Sequence, residues 1–491
     1  MNLLARFSPV VFALFVSWFS LGFAPVLADE LPKDTNTIES LTPEQARKLA
    51  AEFPGLDVVL QMKAVGRTVW GGALPLNGLM TLDAETAAAL AGYNKKTLLL
   101  EGLTTLDAGA ARALAEFKGG ALLLSGLTVI DADTAKALAG FKGNWMSLTS
   151  LTALDAPTAK ALAEFNGTIR LDGLTTLDAE TAKALAEFKG NVLPLNGLTA
   201  LDADTARALV AFKGDHLWLH RLTRLDAATA ETLAGSKAWN GSLPDLTTLD
   251  SATAEVLTAA RKWNGQLWAL TTLDSATAEV LAASKKWDVY VPHLTALDAK
   301  TAEVLARSKK WNGELPNVTT IDADTAKALA GFKGAIHNKP KRVGNLVVDE
   351  PGMDICLRLH GLTTLDAATA KALAGSKAWD VRLPNLATLD AEAAKTLAAA
   401  QKWDGQLPKL TTLDSPDSIA VAQALATRKG PLSLPNLEKI SPKTLTVLIE
   451  KQDVEIPLIE TLEFIPEPDG SGNDDFVIPE WLEERQMRRA R

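Results

Sequence analysis

The sequence of 491 residues is poor in the side chains that most catalytic and metal sites need. Its single cysteine, Cys356, excludes both a disulfide framework and a thiolate metal site. The histidines number five: His216, His220, His293, His337 and His360. The first two would lie on one strand, where imidazoles four residues apart do not converge on a metal. Because a phosphate-binding loop and a serine nucleophile elbow are also missing, we expect no cofactor, no metal and no enzymatic activity.

Positive charge is in deficit, with 50 Lys and Arg against 59 Asp and Glu, a net charge of −9. This balance argues against nucleic acid as a partner. A long apolar run occurs only near the N-terminus, where residues 7–23 follow Arg6 and precede small residues that end at Ala28. We therefore predict a signal peptide over residues 1–28, with a retained membrane anchor as the alternative. The mature protein would lie in the periplasm, at the cell surface or outside the cell, with no membrane span.

The rest of the sequence repeats one motif, L-x-L-x-G-L-T-x-L-D-A-x-T-A-K-A-L-A-x-F-K-G. Its aspartate recurs every 24 residues, except for one step of 23 from Asp155 to Asp178 and one of 44 from Asp322 to Asp366. Thr42 and Ser441 hold the same place in two divergent end copies, which makes 16 units. A fixed period of this length predicts stacked supersecondary units.

The spacing of apolar residues changes within each unit. In the unit of residues 74–92, Leu74 and Leu76 alternate with other residues, as in a strand. Ala87, Leu90 and Ala91 then follow helical spacing. The sequence therefore predicts an α/β solenoid of about 16 units, with a parallel sheet on one face and short Ala-rich helices on the other.

The repeated aspartate comes directly before each predicted helix, at Asp83, Asp107, Asp131, Asp155, Asp178, Asp202, Asp226, Asp250, Asp274, Asp298, Asp322, Asp366, Asp390 and Asp414. A carboxylate there accepts hydrogen bonds from the first helical turn and meets the positive end of the helix dipole. The only substitutes are Thr42 and Ser441, which cap helices well and replace a catalytic carboxylate poorly. We interpret the series as structural helix caps.

The residues after the helices come in two versions. In the F-K-G version, Phe closes the helix end and the glycine is expected to adopt a left-handed stop. From Ser236 the motif becomes S-K-x-W, and tryptophan recurs at Trp239, Trp263, Trp287, Trp311, Trp379 and Trp403. These indoles would form either an exposed strip for sugar rings or a partner chain, or a buried filling of the space that Phe leaves. The coincidence of Trp gain with Phe loss favours the second interpretation.

The predicted solenoid occupies residues 29–450, with insertions near 57–73 and 335–356. Residues 57–73 are expected to form a loop or an extra strand. The segment 335–356 is either a binding loop or a tolerated insertion without function. Residues 451–491 read as a terminal cap, an acidic linker and a basic tail, which is a possible docking element.

The motif resembles that of leucine-rich repeat proteins, and is similar to the exported bacterial surface subtype with the pattern I-x-I-P-x-x-V-T-x-I-G-x-x-A-F. Residues 193–202 and 383–390 follow that spacing, and the likeness extends over about residues 38–450. The resemblance implies a curved stack with the sheet along its inner side, and export followed by adhesion or protein recognition. Two features depart from it: leucines such as Leu79 stand near the place of the usual asparagine ladder, and aspartate replaces the glycine of the surface subtype.

Residues expected to point outward from the strands differ from repeat to repeat, whereas the apolar core residues of the motif stay the same. Arginine and aromatic residues there suit binding hot spots. The candidate contacts are Arg170, Trp218, His220, Trp268, Tyr290, Arg358 and Arg382. We expect a non-enzymatic recognition or scaffold protein of the cell envelope or exterior that binds a protein or glycan through this face. The alternatives are a polysaccharide-active solenoid enzyme, which would need clustered carboxylates around residues such as Asp172 or Glu314, and an architectural protein that self-associates.

Overall fold

The structure is a computed structural model that describes residues 34–62, 66–333, 335–336, 341–343, 346–348 and 354–466, together with Glu480 and Glu484. Side chains are described outside 57–70 and 335–355. The predicted signal peptide, the charged residues Lys339 and His337 of the second insertion, and the Trp481 and arginine residues of the tail lie outside the described residues.

One helix belongs to each repeat, which confirms the predicted solenoid of 16 units. The helices are α1 Pro43–Glu52, α2 Ala84–Ala91, α3 Ala108–Leu114, α4 Ala132–Ala139, α5 Ala156–Leu162, α6 Ala179–Leu185, α7 Ala203–Leu209, α8 Ala227–Ala234, α9 Ser251–Ala259, α10 Ser275–Ala283, α11 Ala299–Arg307, α12 Ala323–Ala330, α13 Ala367–Ala374, α14 Ala391–Ala399, α15 Ser418–Ala426 and α16 Pro442–Ile449. Each helix packs against the helix of the next coil, from α1 to α16.

The strands are short and mostly parallel. They are β1 Leu56–Met62, β2 Gly66–Pro75, β3 Thr97–Leu99, β4 Ala121–Leu123, β5 Trp145–Ser147, β6 Thr168–Arg170, β7 Val192–Pro194, β8 His216–Trp218, β9 Ala335–Ile336, β10 Lys341–Val343, β11 Leu346–Val348, β12 Asp354–Ile355, β13 Thr364–Leu365, β14 Thr388–Leu389, β15 Thr412–Leu413, β16 Leu432–Ser433, β17 Lys439–Ile440, β18 Val454–Glu455 and β19 Glu463–Phe464. Strands β2 to β6 form one parallel sheet in which equivalent residues pair.

The core runs as one continuous apolar column between the sheet and the helices. Leu74, Leu98 and Leu122 point inward from successive strands and are fully buried, as are Ala87 and Leu90 of α2. Fully burying one leucine side chain stabilises the fold by about 1.5–3 kcal/mol. This gain recurs in every coil, so the stack grows without a larger core.

The aspartates stand at the helix N-termini. Thirteen of them, from Asp83 to Asp390, accept a hydrogen bond from the backbone N–H three residues on; for Asp83 and Thr86 the distance is 2.8 Å. That backbone hydrogen bond lowers the pKa of the Asp83 carboxyl below its ordinary value. Thr42 forms a capping box with Gln45 at the first helix.

Asp414 is the exception, and its assignment as a cap is wrong. Helix α15 begins at Ser418, and its N-terminal flanking residue is Asp417, whose side chain makes no capping hydrogen bond. The core leucine follows Asp390 by seven residues, at Leu397, but follows Asp414 by eleven. The added residues include Pro416 and displace the helix start away from Asp414.

In the F-K-G motifs that the structure describes, the glycines at 119, 143, 190 and 214 do not adopt the predicted left-handed conformation. A Cβ on Gly119 would lie 2.1 Å from the Phe117 ring and 2.7 Å from the Lys95 carbonyl oxygen of the preceding coil. Glycine is therefore required by close approach rather than by its backbone angle. The Phe rings behind it stack from coil to coil, with 6.1 Å between the centroids of Phe117 and Phe141.

The six recurring tryptophans are buried to at least 98%, so the space-filling interpretation is confirmed and the exposed aromatic strip is wrong. In these coils a residue such as Gly241 replaces the first inward leucine of the strand, and its φ of 76° interrupts the extended backbone. The indole of Trp239 thus takes the volume of both a phenylalanine and a leucine. Regular strand pairing stops at the same point, since β8 is the last strand before the tryptophan coils.

Two threonine ladders join the coils, and the sequence interpretation missed both. At the helix N-termini, Thr134 Oγ1 donates to the Leu106 carbonyl of the preceding coil at 3.3 Å. In the tryptophan coils, both the N–H and the hydroxyl of Thr247 donate to the Thr223 carbonyl, at 2.9 and 3.0 Å. These threonines thus link successive coils by hydrogen bonds, as the asparagine ladder does in ordinary leucine-rich repeats.

Both insertions carry antiparallel hairpins, and both leave the array between a helix and the following sheet strand. The first pairs β1 with β2; the second pairs β10 with β11 and β9 with β12. The array resumes in register after the second insertion, because Leu315 N–H donates to the Arg358 carbonyl at 3.0 Å. The 44-residue step is therefore one coil with an added excursion.

Candidate functional site

The outer face of the sheet changes character along the array. In the first coils it is apolar: Leu99 and Leu123 form a cluster with Ala73 and Ala121, and Trp145 packs against it. Leu99 and Leu123 are only 0% and 3% exposed although they lie on the side of the sheet opposite the core. This end of the face is therefore covered, and the accessible polar face begins with the coil of β6.

Arg170 and Asp172 open the polar face as a half-buried ion pair. The guanidinium Nε of Arg170 donates to Asp172 Oδ2 at 2.6 Å, and each side chain is 15% exposed. Two coils further on, the rings of Trp218 and His220 stack with 5.8 Å between centroids and 18° between planes. Pro194 and Asn196 of the intervening coil are buried between these two pairs.

The protonation state of His220 follows from its neighbour in the next coil. Asn240 Oδ1 accepts from the Ser242 N–H, so its Nδ2 faces His220 Nε2, at 2.7 Å. An amide nitrogen only donates, and therefore Nε2 accepts and the ring is neutral with its proton on Nδ1. Burial lowers the pKa of His220 below 6.5, against the opposing charges of Asp245 and Asp172. Both the geometry and the pKa favour a neutral imidazole.

Trp268 and Tyr290 form a second group, and both are exposed, at 41% and 40%. The indole Nε1 of Trp268 donates to Asp288 Oδ2 at 3.2 Å. Between Asp288 and Tyr290 lies Val289, whose φ of 57° is rare for a β-branched residue. Such strain persists only where surrounding structure imposes it.

A third group lies on both sides of the second insertion. Arg358 forms an ion pair with Glu314 of the preceding coil, and its Nη1 lies against Oε1. His360 Nε2 lies 3.1 Å from Asp380 Oδ2. Arg382 is exposed beside them and follows Val381, the second valine with a φ of 57°.

The candidate contacts thus fall into three groups along the face: Arg170 lies two coils before the stacked Trp218 and His220, Trp268 and Tyr290 lie in successive coils, and so do Arg358 and Arg382. One relation recurs in all three groups: a face residue contacts the side chain that lies twenty positions later, in the next coil. The pairs are His220 with Asn240, Trp268 with Asp288 and His360 with Asp380. Sequence reasoning missed these three partners, although each directly follows a tryptophan of the S-K-x-W or related motif.

The two carboxylates that were candidates for catalysis are each engaged with an arginine. Asp172 pairs with Arg170 and Glu314 with Arg358. Among the described residues, no group of three or more His, Cys, Asp or Glu side chains could hold a metal ion. No helix in the described ranges is long and apolar enough to cross a membrane.

The parallel strands, the helix in every coil and the 24-residue register define an α/β solenoid of the leucine-rich-repeat type. Among solved structures, an internalin from Listeria monocytogenes is similar at 12% identity and a TM-score of 0.35, covering 84% of this chain and 93% of its own. TLR13, in its complex with ssRNA13, is similar at 15% identity and a TM-score of 0.31, covering 82% and 70%. No protein-family model and no curated protein matches the sequence.

Proposed function

We propose that this protein is an exported, non-enzymatic recognition solenoid that binds a protein or a glycan through the polar outer face of its sheet. The observation that supports this function best is the repeated bond between coils at the face residues. His220, Trp268 and His360 are each held by a side chain of the next coil. Rings held in one orientation lose less conformational freedom when a partner binds, which favours affinity.

The composition of the face supports binding rather than catalysis. Arginine, tryptophan and tyrosine are the residues most enriched among binding hot spots. A hydrolytic mechanism on carboxylates needs an acid and a base at a set separation. Asp172 and Glu314 lie several coils apart, and each is paired with an arginine.

The proposed location outside the cytoplasm rests on the predicted signal peptide. The single cysteine provides no disulfide framework, so stability is left to the repeat stack. Fusion of residues 1–28 to a reporter protein tests it. Export of the reporter would support the location, and retention in the cytoplasm would contradict it.

The proposed function is tested by capture from envelope extract and from a glycan panel. The bait variant changes Arg170, Trp218, Tyr290 and Arg358 to Ser, and the matched control changes four exposed helix-face lysines instead. These are Lys136, Lys160, Lys183 and Lys371. We expect the wild-type and control baits to capture a ligand that the face variant loses, with all three baits equally folded by circular dichroism.

Equal capture by all three baits would contradict binding through the sheet face. Capture of nothing but the chain itself, with concentration-dependent self-association, would favour an architectural protein. Loss of turnover of a captured polysaccharide on changing only Asp172 or Glu314 would instead favour an enzyme.

A further inference from the structure

The regular pairing of strands between coils is interrupted after β6. The interruption lies next to the coil that is one residue short, between Asp155 and Asp178. Two residues separate Phe165 from β6, whereas three separate Phe141 from β5. Within residues 66–333, no strand ladder joins β6 to β7, although β6 pairs in register with β5. The Phe ladder breaks at the same boundary, because Phe165 stacks on Phe141 and the next stacked pair starts at Phe188. A groove of about 760 Å³ also opens there between α6 and α7.

On the sheet face, the same boundary leaves two buried polar atoms without partners. Asp172 Oδ1 and Asn196 Nδ2 are shut off from solvent and make no hydrogen bond within the described part of the chain. Asn196 is only 5% exposed, and its Oδ1 is engaged by the His220 N–H at 3.3 Å. Leaving a buried donor or acceptor unpaired costs about 1–3 kcal/mol. Asp172 and Asn196 stand at equivalent positions of adjacent coils, so an unpaired acceptor and an unpaired donor could both be satisfied by one ligand.

The surroundings specify the chemistry of that ligand. An acceptor beside a donor matches a hydroxyl group, which donates and accepts through one oxygen. The stacked rings of Trp218 and His220 present a flat π surface, which attracts the C–H face of a sugar ring through its negative quadrupole. Because Arg170 and Asp172 neutralise each other, a charged group would have to break that pair.

We infer that the stretch of sheet face between the Arg170–Asp172 pair and the Trp218–His220 pair, which includes the buried Pro194 and Asn196, binds one uncharged sugar unit of a glycan. This stretch is the proposed sugar site. This inference rests on the proposed function and commits it to a glycan at this point of the face. A sugar hydroxyl would accept from Asn196 Nδ2 and donate to Asp172 Oδ1, while the ring lies on Trp218. Because both atoms are shut off from solvent, a sugar can reach them only after side chains at this face change rotamer.

The chain provides a matched control for the test. Asn77 stands in the same column as Asn196 and uses its Oδ1 in the same way, accepting from the Glu101 N–H at 3.1 Å. The variants Asn196→Asp and Asn77→Asp both keep that acceptor, and only the first removes the unpartnered donor. We would titrate the full-length chain by calorimetry with β-1,4-linked hexasaccharides of glucose, N-acetylglucosamine and mannose, and with polygalacturonate as an anionic probe.

We expect at least one neutral hexasaccharide to bind, polygalacturonate not to bind, and Asn196→Asp to weaken binding at least about tenfold while Asn77→Asp leaves it unchanged. A second pair covers the case in which Asn196→Asp does not fold. Trp218→Ala should abolish binding, and Phe464→Ala, which removes an exposed aromatic ring of β19 outside the candidate contacts, should not. Equal loss in both members of a pair would overturn the inference.

Failure of the sugar inference and failure of the proposed function give different results. If no neutral hexasaccharide binds, but a protein is captured and lost with the face variant, the sugar inference is wrong and the recognition function stands. If neither a sugar nor a protein depends on the face, both are wrong. A direct hydrogen bond between Asp172 and Asn196 in a crystal structure with hexasaccharide present would also overturn the sugar inference.

Discussion

Trp268 and Asp288 are joined across two coils by a hydrogen bond of 3.2 Å from the indole Nε1 to Oδ2. Asp288 uses its other oxygen to accept from the Tyr290 N–H at 3.3 Å. One carboxylate therefore fixes both an exposed indole and the backbone that presents an exposed phenol. The face residue is oriented by the coil that follows it, and this relation makes the binding surface a property of stacked coils rather than of single repeats.

Removing that carboxylate should release the indole. We expect Asp288→Ala to accelerate hydrogen exchange at Trp268 Nε1–H, measured by NMR, and to change the free energy of unfolding by no more than about 0.5 kcal/mol. Asp404→Ala is the control, because Asp404 makes the equivalent local bond to the Gln406 N–H at 3.1 Å but has no face ring twenty residues before it. Unchanged exchange in Asp288→Ala would contradict the proposed anchoring.

The sequence predicted those parts of the fold that each repeat determines by itself. The strand, the helix and the aspartate cap depend on residues within one unit, so their spacing is readable from a single copy. The seven candidate contacts were placed on one face for the same reason, since alternation along a strand decides which side a residue takes.

The features that sequence reasoning missed depend on the neighbouring coil. Gly119 is required by a carbonyl of the preceding coil, and Thr134 donates to another. The loss of strand pairing between β6 and β7 accompanies a coil that is one residue short. The shortened step is visible in the sequence, but its effect on strand pairing is not. Asp414 matches the repeated motif, but its core leucine follows eleven residues later instead of seven. The motif match alone therefore predicted the wrong cap. The repeat period in the sequence predicts the structure of one coil, whereas the candidate binding site depends on contacts between coils.

A cap in the middle of the array should matter for stability and not for binding. Asp202→Ala removes the acceptor of the Thr205 N–H, at 2.7 Å, and should lower the free energy of unfolding by about 0.5–2 kcal/mol. Asp202→Ser keeps a capping oxygen and should cost much less. Denaturant unfolding measures both, and loss of ligand capture at unchanged stability would contradict the structural role of this aspartate.

The glycines of the tryptophan coils should resist substitution. Gly265 has a φ of 82°, and a Cβ there would lie 1.9 Å from the Lys286 carbonyl oxygen. We expect Gly265→Ala to destabilise the chain by about 1–3 kcal/mol, since the clash adds to backbone strain. The control is Gly92→Ala at the end of α2, where φ is −70° and the nearest contact is 3.2 Å. Thermal unfolding measures both variants. An equal decrease in Tm in the two would contradict the requirement for glycine at residue 265.

His220 should titrate below its ordinary value of 6.5, because burial disfavours its charged form. Between the folded and unfolded pKa values the unfolded chain binds more protons, so stability rises with pH in that window and falls on acidification through it. The nearby charges of Asp172 and Asp245 raise the pKa, and we therefore expect Asp172→Asn to lower it further.

NMR titration of the His220 ring measures this prediction, with Asp288→Asn as a distant control that should leave the midpoint unchanged. His220→Gln should flatten the acid loss of stability, since a glutamine takes up no proton. A midpoint at or above 6.5, or one that rises in Asp172→Asn, would contradict the neutral imidazole. A neutral ring matters for the proposed sugar site beside Asn196, because only that form lets Nε2 accept from Asn240 and keeps the stacked surface on Trp218 uncharged.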